Sequence, residues 1–596
     1  MSYLLINPLD FIVENAPIHT IPLLLGILKN ENIDCSYINL NSVLLNKFNN
    51  DRNFKDYISS SIFNVVKNPS KEEKTLFKEL ISLADKTFSQ ISVNMLFNTV
   101  PLALYVLKNK LLYYNLFLCN YSYMIIYKAL ATISFFYSQL IHILIPDCDS
   151  CRTDVQEREF NIDISLLDDF YNSSLHILKD FMVEQIKKSM SDGIECVGII
   201  MNTPGQFITG LYVCQYIKEH YNCHINIGGS FFNEYYNCIN NIPELFGKYF
   251  DSISIKNNTE TIVDIIKYIR KEKNIDSIPN ILYYDNGLKF NSGSNRFDYN
   301  KMPYIDMGEI SEDDFPLPEL VFPVQASTSC YWRKCIFCDC SASEQSYTIK
   351  TVSRLVDEIE FLKKKYKTKY FYFWDNALHP KYLNKLSDEL KKRKIKIIFS
   401  IYARFEPEFN FELLKKLRKS GLAHICWGLD SASQRVIEFI NKGIKLEDAD
   451  RILKEACKAN IYNKVHLIFG HPTETLEEVQ ETIDFISRNI GYIGDVATNK
   501  KVYFLNTAIL QQNRDYYKSL IKTQESERVK LINTLDKSST GNIVTGFSPT
   551  CLLYLKKFSR DKLMSKIRTY NSLQKNKFVK SLVVNLFNIF SGKSLF

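Results

Sequence analysis

The run Phe322-Pro323-Val324-Gln325-Ala326-Ser327-Thr328-Ser329-Cys330-Tyr331-Trp332-Arg333-Lys334-Cys335-Ile336-Phe337-Cys338-Asp339-Cys340 decides how the chain is organised. Its first part, Phe322 to Thr328, is β-prone. Three thiols, Cys330, Cys335 and Cys338, follow within nine residues, with aromatic Phe337 just before the last. Thiolates are soft ligands, and closely spaced ones reach adjacent corners of a single iron–sulfur cube. Three ligands leave one iron open, which suits binding a substrate or cofactor better than simple electron transfer. The competing reading, from a different class, is a zinc-stabilised binding module using Cys330, Cys335, Cys338 and Cys340. Zinc sites usually split their ligands into two pairs across a longer spacer, so four thiols in eleven residues match poorly.

Downstream of the loop, helical and strand patterns alternate. A helix over 352–366 carries Leu355, Val356, Ile359 and Leu362, and a strand follows at 370–374. The next helix carries Leu383, Leu386 and Leu390, before a strand at 396–402. A helix through Phe411, Leu414 and Leu417 ends at Gly421, before a strand at 423–429. Helices within 434–458, a strand at 465–469, a helix over 476–487 and a last strand at 501–505 complete the pattern. Counting 322–328, six strands with helical crossovers predict a partial TIM barrel, (β/α)6, over 321–510.

Upstream, 2–8 reads as a buried strand, 18–32 as a helix with Ile21, Leu24, Leu25 and Leu28 on one face, and 35–41 as a second strand. Such α/β units place ligands at the carboxyl ends of their strands. The alternation stops from about 42 to 191, which reads as a large helical insertion. The Cys148–Cys151 pair inside it reads as two unrelated thiols in a connecting loop. The α/β pattern resumes with strands at 196–202, 224–227 and 252–256. At the end of the second of these, Gly228-Gly229-Ser230 lets a ligand approach the backbone, with an ordinary tight turn as the bland reading. A five-stranded, doubly wound, Rossmann-like α/β domain over 1–273 results. Residues 274–320 read as a linker, and 511–596 as a helical, basic C-terminal region.

At 596 residues, two to four domains are expected. The 46% hydrophobic and 23% charged shares are those of a globular protein. A net charge of +8 on so long a chain does not imply nucleic-acid binding, and none is expected. Fifteen irregularly spaced cysteines do not form a secreted disulfide framework. No basic start with a long apolar core opens the chain, so no signal peptide is expected. The apolar stretch 124–145 is interrupted by Lys128, Gln139 and His142 and fits a buried or amphipathic helix better than a membrane span. A cytoplasmic location is expected.

The cysteine loop after a first barrel strand, with five more βα units behind it, resembles the radical S-adenosylmethionine (radical SAM) superfamily. The N-terminal unit resembles the cobalamin (B12)-binding domain of one large subclass. The resemblance covers roughly 2–41, 192–270 and 321–510. It implies a 4Fe–4S cluster on Cys330, Cys335 and Cys338, with S-adenosylmethionine on the open iron. The family's commonest spacing is C-x3-C-x2-C; here it is C-x4-C-x2-C, and Cys340 stands as the alternative to Cys330. Phe337 matches the aromatic that packs near the adenine. Asp375 sits where the family contacts the amino group, and Arg404 where a polar side chain reaches the carboxylate. Asp430 and Ser431, in Gly428-Leu429-Asp430-Ser431, resemble the Gly-x-Glu-Ser motif, and Gly470 lies in the motif whose backbone flanks the adenine. Gly228, Gly229 and Ser230 are the candidate cobalamin positions. The cobalamin-ligating Asp-x-His-x-x-Gly motif is absent, and His19 reads as a water-exposed helix-start histidine. The implied activity is reductive cleavage of S-adenosylmethionine to start radical chemistry, with cobalamin-dependent methylation of a peptide or natural product as the expected outcome. The alternative is an N-terminal domain that recognises substrate without cobalamin. A reductant such as flavodoxin or ferredoxin is the implied partner; no catalytic residue on the substrate side is identified.

Overall fold

The computed structural model of the protein describes residues 2–500, apart from 12–18, 79–80, 83–84, 86–89, 110–111, 113–115, 145–162, 233–242, 256–260, 294–297, 309–314, 339, 341–346, 470 and 472–473. The Cys148–Cys151 pair, Gly470, the expected strand at 501–505 and the basic C-terminal region lie outside the described residues.

Two sheets carry the architecture. The first comprises β1 (Ser2–Asn7), β2 (Asp34–Asn39), β3 (Ile194–Ile200), β4 (His224–Gly228), β5 (Ser252–Ser254), β6 (Ile281–Tyr284) and β7 (Leu288–Asn291), in the order β2-β1-β3-β4-β5-β6-β7. Strands β1 to β5 are parallel. β1 is apolar from Tyr3 to Ile6 because both its faces are covered. Leu4 and Ile6 enter one core while Tyr3 and Leu5 enter the other. Helix α1 (Thr20–Asn30) covers one face. The other face takes the helices between β2 and β3: α2 (Leu40–Asn50), α3 (Arg52–Lys67), α4 (Lys71–Leu76), α5 (Gln90–Lys108), α6 (Leu116–Leu144), α7 (Ile164–Asn172) and α8 (Lys179–Ser189). Asn39 turns strand into helix by accepting from the Asn41 and Ser42 amides, a side-chain N-cap. Helices α9 (Pro204–His220) and α10 (Thr261–Ile269) complete the layers. No helix among the described residues is long and apolar enough to cross a membrane.

The sheet is wider than the five strands expected, and 274–320 is more than a linker. Its β6 and β7 extend the sheet antiparallel to β5. These four-residue strands, joined across Asp285-Asn286-Gly287, offered too little periodicity to register in the sequence. Further along, the Asp306 amide donates to the Pro22 carbonyl (2.8 Å) and the Ile305 amide to Glu358 (3.2 Å). A Cβ on Gly26 would lie 2.3 Å from the Tyr304 carbonyl oxygen, so α1 packs directly on this strap.

The second sheet comprises β8 (Val321–Val324), β9 (Tyr370–Phe373), β10 (Ile398–Ala403), β11 (Leu422–Asp430), β12 (Tyr462–Phe469) and β13 (Asp495–Lys500), parallel throughout and in chain order. Strand β13 begins ahead of the expected 501–505, which lies outside the described residues, because Asp495, Thr498, Asn499 and Lys500 hide it in polarity. Helices α11 (Val352–Lys365), α12 (Pro380–Lys392), α13 (Phe411–Lys419), α14 (Gln434–Phe439), α15 (Leu446–Lys458) and α16 (Leu476–Asn489) connect the strands. Phe371, Phe399, Ile425, Trp427 and Val465 share a core with Leu355, Leu386 and Leu453 of these helices. Trp427 is fully buried, stacks on Phe405 at 4.8 Å, and donates its indole N–H to Asn463. Residues of both sheets share that core, so the two units pack as one body.

Candidate functional site

The opposite face of the second sheet is unusually polar. Tyr402, Cys426, Lys464 and Asp495 stand in register across β10 to β13. The row above comprises Arg404, just past β10, then Gly428 and His466. Lys464 and Asp495 form a buried ion pair at 3.0 Å. Burial pushes the Cys426 thiol up to about 12 and the His466 imidazole down to about 4, leaving both neutral near pH 7. His466 Nε2 and the Ser400 hydroxyl are buried without a hydrogen-bond partner.

The chain leaves β8 into the cysteine loop over a carboxylate. Asp375 accepts from the Ala326 amide (3.1 and 3.0 Å), the Ser327 amide (2.6 Å) and the Ser327 hydroxyl (2.6 Å). The position expected to meet the S-adenosylmethionine amino group is therefore committed to shaping the loop's first turn. Burial outweighs these bonds and pushes the Asp375 carboxyl up from 3.8 to about 6. A folded pKa above the unfolded value means a contribution fully present below about pH 4 and lost as pH rises through 6. That amounts to about 3 kcal/mol. Asp375→Asn is expected to remove this loss, flattening the urea-midpoint profile between pH 4 and 6; an unchanged slope would refute it.

The far side of the loop rests on the turn after α14. The Ile336 amide donates to the Ile440 carbonyl (3.1 Å) and the Trp332 indole N–H to the Asn441 carbonyl (2.9 Å). Gly443, at φ +67°, faces the Trp332 ring; a Cβ there would lie 2.1 Å from its Cζ2. Both the conformation and the contact demand glycine. Gly443→Val is expected to displace Trp332 and cut iron retention after gel filtration several-fold, with a far smaller change in thermal midpoint. Equal iron retention would count against the turn as the loop's support.

Arg404 joins loop and sheet. Its Nε donates to Glu406 (2.8 Å), which also accepts from the Tyr331 hydroxyl (2.6 Å), and its guanidinium lies 4.0 Å from the Trp332 ring centroid. Although Arg404 is only 3% exposed, Nη1 and Nη2 have no hydrogen-bond partner among the described residues. A buried guanidinium with two free donors is built for a bidentate anion such as a carboxylate.

The remaining expected positions divide. Cys330, Cys335 and Cys338 lie in one loop and none is in a disulfide among the described residues, and Cys335 has Cys330, Lys442 and Arg404 as electrostatic neighbours. Burial pushes the Cys335 thiol up while the two cations pull against it. Cys338 is raised by a hydrogen bond with Cys340 and by burial. Cys340 also receives the Asn376 amide on its sulfur (3.1 Å). Phe337 is buried with Val436, Ile440 and Ile468, 6.0 Å from the His471 ring. Asp430 follows a bulge in β11, at φ +66°, and pairs with the buried Lys442 instead of facing open space. Ser431 accepts from the Ser433 amide and meets Thr482 at 3.4 Å. Lys442, Glu406, Tyr331 and His466 were not singled out in the sequence. A lysine in a turn and a histidine in a strand carry no local signal of their own.

At the first sheet's carboxyl edge, a Cβ on Gly229 would lie 2.1 Å from the Met201 carbonyl, and Ser230 is tied to Asn202. The glycine pair thus serves close packing of β4 on β3. Between β1 and β3 lies a polar edge in which Gln206 donates to Asn7 (2.8 Å), Asn7 to Asn39 (3.2 Å), and Thr203 to Asp10. His19 is buried rather than exposed, because α1 is pressed against the second unit near Lys350. Burial and that lysine lower it to about 3.

Residues 325–486 match the model of the radical SAM superfamily. This segment is a radical SAM domain. An uncharacterized methyltransferase of Pyrococcus horikoshii is 26% identical over 234 residues, 38% of this chain and 50% of that protein. The anaerobic magnesium-protoporphyrin IX monomethyl ester cyclase of Rubrivivax gelatinosus is 30% identical over 151 residues, 25% of this chain and 27% of the cyclase. The chain thus spans half or less of the length of these curated relatives. The solved structure of the radical S-adenosylmethionine methyltransferase TsrM from Kitasatospora setae, with tryptophan and a SAM analog, aligns over 84% of this chain and 72% of that one, at 12% identity and a TM-score of 0.49. The radical SAM family uses a 4Fe–4S cluster and S-adenosylmethionine. The donor set of the radical SAM domain fits both groups: three thiols of one loop in no disulfide, and two Arg404 guanidinium nitrogens with no hydrogen-bond partner among the described residues.

Proposed function

We propose that the chain is a radical SAM enzyme in which Cys330, Cys335 and Cys338 hold the cluster and Arg404 holds the carboxylate of S-adenosylmethionine. The observation that carries this reading is Arg404: buried, anchored through Nε by Glu406, and presenting two free donors beside the thiol loop. When bound, the cluster supplies one electron to the sulfonium, splitting it into methionine and a 5′-deoxyadenosyl radical. Trp332 and Glu406 fix the guanidinium plane, and Phe337 is buried among Val436, Ile440 and Ile468 on the loop itself. The loop spacing favours this over a zinc module: four thiols in eleven residues lack the two separated pairs that zinc sites usually show.

The finer part of the proposal seats cobalamin on the first sheet's carboxyl edge, with methylation of a peptide or natural product as the outcome. Support comes from the strand order β2-β1-β3, which opens a crevice between β1 and β3 where such sheets bind ligands. One observation favours the second reading, a domain that recognises substrate without cobalamin. Gly229 and Ser230 are already spent on Met201 and Asn202. A reductant of the flavodoxin or ferredoxin class would deliver the electron in either case.

Anaerobic reconstitution with iron and sulfide, then reduction with S-adenosylmethionine present, tests the whole. Bound iron and sulfide in equal amounts and 5′-deoxyadenosine are expected; no iron and no cleavage would reject the reading. Corrinoid absorbance retained through purification separates the two N-terminal readings.

A further inference from the structure

A lysine in a surface turn normally stretches its stem along the protein and keeps its ammonium in water. Lys442 does the opposite. It is 7% exposed, and its ammonium pairs with the buried carboxylate of Asp430. It also lies 5.9 Å from the Phe337 ring centroid and would stand 3.1 Å from a Cβ on Gly428. Cys335 is among the groups acting on its charge, and Lys442 among those acting on Cys335. Stability does not explain the arrangement. Desolvating two charges costs several kcal/mol per ion, and well-packed apolar replacements of buried ion pairs are often neutral or stabilising. The backbone around Lys442 fixes its place, because Ile440 and Asn441 in the same turn accept bonds from the cysteine loop. The ammonium is thus held against the Phe337 stretch of the cysteine loop, 5.9 Å from that ring, in a region where charge interactions are stronger than in water.

We infer that Lys442 sets the reduction potential of the cluster, with Asp430 as its counterweight; this rests on the reading of the cysteine loop as a cluster site. Cluster potentials respond to nearby charge and solvent exposure. Adding an electron makes the cluster more negative. A fixed cation beside Cys335 therefore favours the reduced form and raises the potential, while the Asp430 carboxylate lowers it. Lys442 acts as a positioning residue whose charge matters, rather than as a group that touches the reacting atoms.

The test is an EPR-monitored redox titration of the anaerobically reconstituted full chain, without S-adenosylmethionine, on wild type, Lys442→Gln, Asp430→Asn and Lys442→Arg. At the wild-type midpoint, the reduced-to-oxidised ratio is expected to fall in Lys442→Gln, rise in Asp430→Asn, and stay near one in Lys442→Arg. A merely structural pair would move both neutralising variants together or neither, and that result would overturn the inference. Should Lys442→Gln fail to retain iron, the other two decide: a rise in Asp430→Asn with none in Lys442→Arg supports it, and any other pattern rejects it. A wild type that binds no iron overturns the functional reading, and this inference with it. A wild type with a normal cluster and unmoved variants overturns this inference alone.

Discussion

Replacing Cys330, Cys335 or Cys338 with alanine is expected to abolish both bound iron and S-adenosylmethionine cleavage, while Cys340→Ala keeps both. The expectation follows from how the loop is held. Cys330, Cys335 and Cys338 lie within nine residues of one loop, with Cys330 among the charges acting on Cys335 and Cys335 among those acting on Cys338. The Cys340 sulfur is engaged by Asn376, and its carbonyl by Arg333 at 3.1 Å. Losing one of three thiolates removes a corner ligand outright, and the neighbouring Cys340 sulfur is already engaged by Asn376. Iron content, the EPR signal of the reduced protein and 5′-deoxyadenosine yield are the readouts. Iron lost in Cys340→Ala but kept in Cys330→Ala would shift the ligand set to Cys335, Cys338 and Cys340.

Arg404→Ala carries the second-largest expected effect, at least thirty-fold weaker binding of S-adenosylmethionine. Truncating one partner of a buried, hydrogen-bonded charge pair costs about 2–5 kcal/mol, or roughly thirty-fold upward. The variant also leaves Glu406 and the Tyr331 hydroxyl without their cation. Arg404→Lys restores charge but not the planar fork, so it should recover binding only in part. Calorimetric titration on protein with unchanged iron content makes the measurement. Affinity equal to wild type in Arg404→Ala would remove Arg404 from the binding site.

Much of this was legible in the sequence, and the reasons for the rest are physical. Strand β9, and the apolar runs Tyr3 to Ile6 of β1 and Leu467 to Phe469 of β12, showed themselves because burial on both faces favours apolar residues there. β13 did not, since Asp495, Thr498 and Asn499 outnumber its apolar residues, and β6 and β7 are too short to show a period. Positions at strand ends, such as the cysteine loop after β8 and Arg404 after β10, could be located from backbone topology, while their roles remain proposed. They were misleading where a side chain had a nearer partner. Asp375 found the Ala326 and Ser327 amides, Asp430 found Lys442, and Gly229 found the Met201 carbonyl. Sequence spacing identifies strand ends; it does not say which polar atoms there are already spoken for.

The long excursion between β2 and β3 bears on how the molecule is born. β1 pairs with β2 almost at once, but its other edge must wait for β3, with Ser2 opposite Ile194 and Ile6 opposite Ile199. At ribosomal speeds of about 5–20 residues per second, that wait lasts roughly 10–30 seconds. Closing so long a loop adds little to the equilibrium cost, which grows only logarithmically with length. The burden is kinetic: an apolar strand edge stays unpaired on a nascent chain, where such edges invite aggregation. The helices between β2 and β3, whose side chains reach Leu4 and Ile6 in a shared core, are made within that interval. They are positioned to cover the waiting face before its strand partner exists.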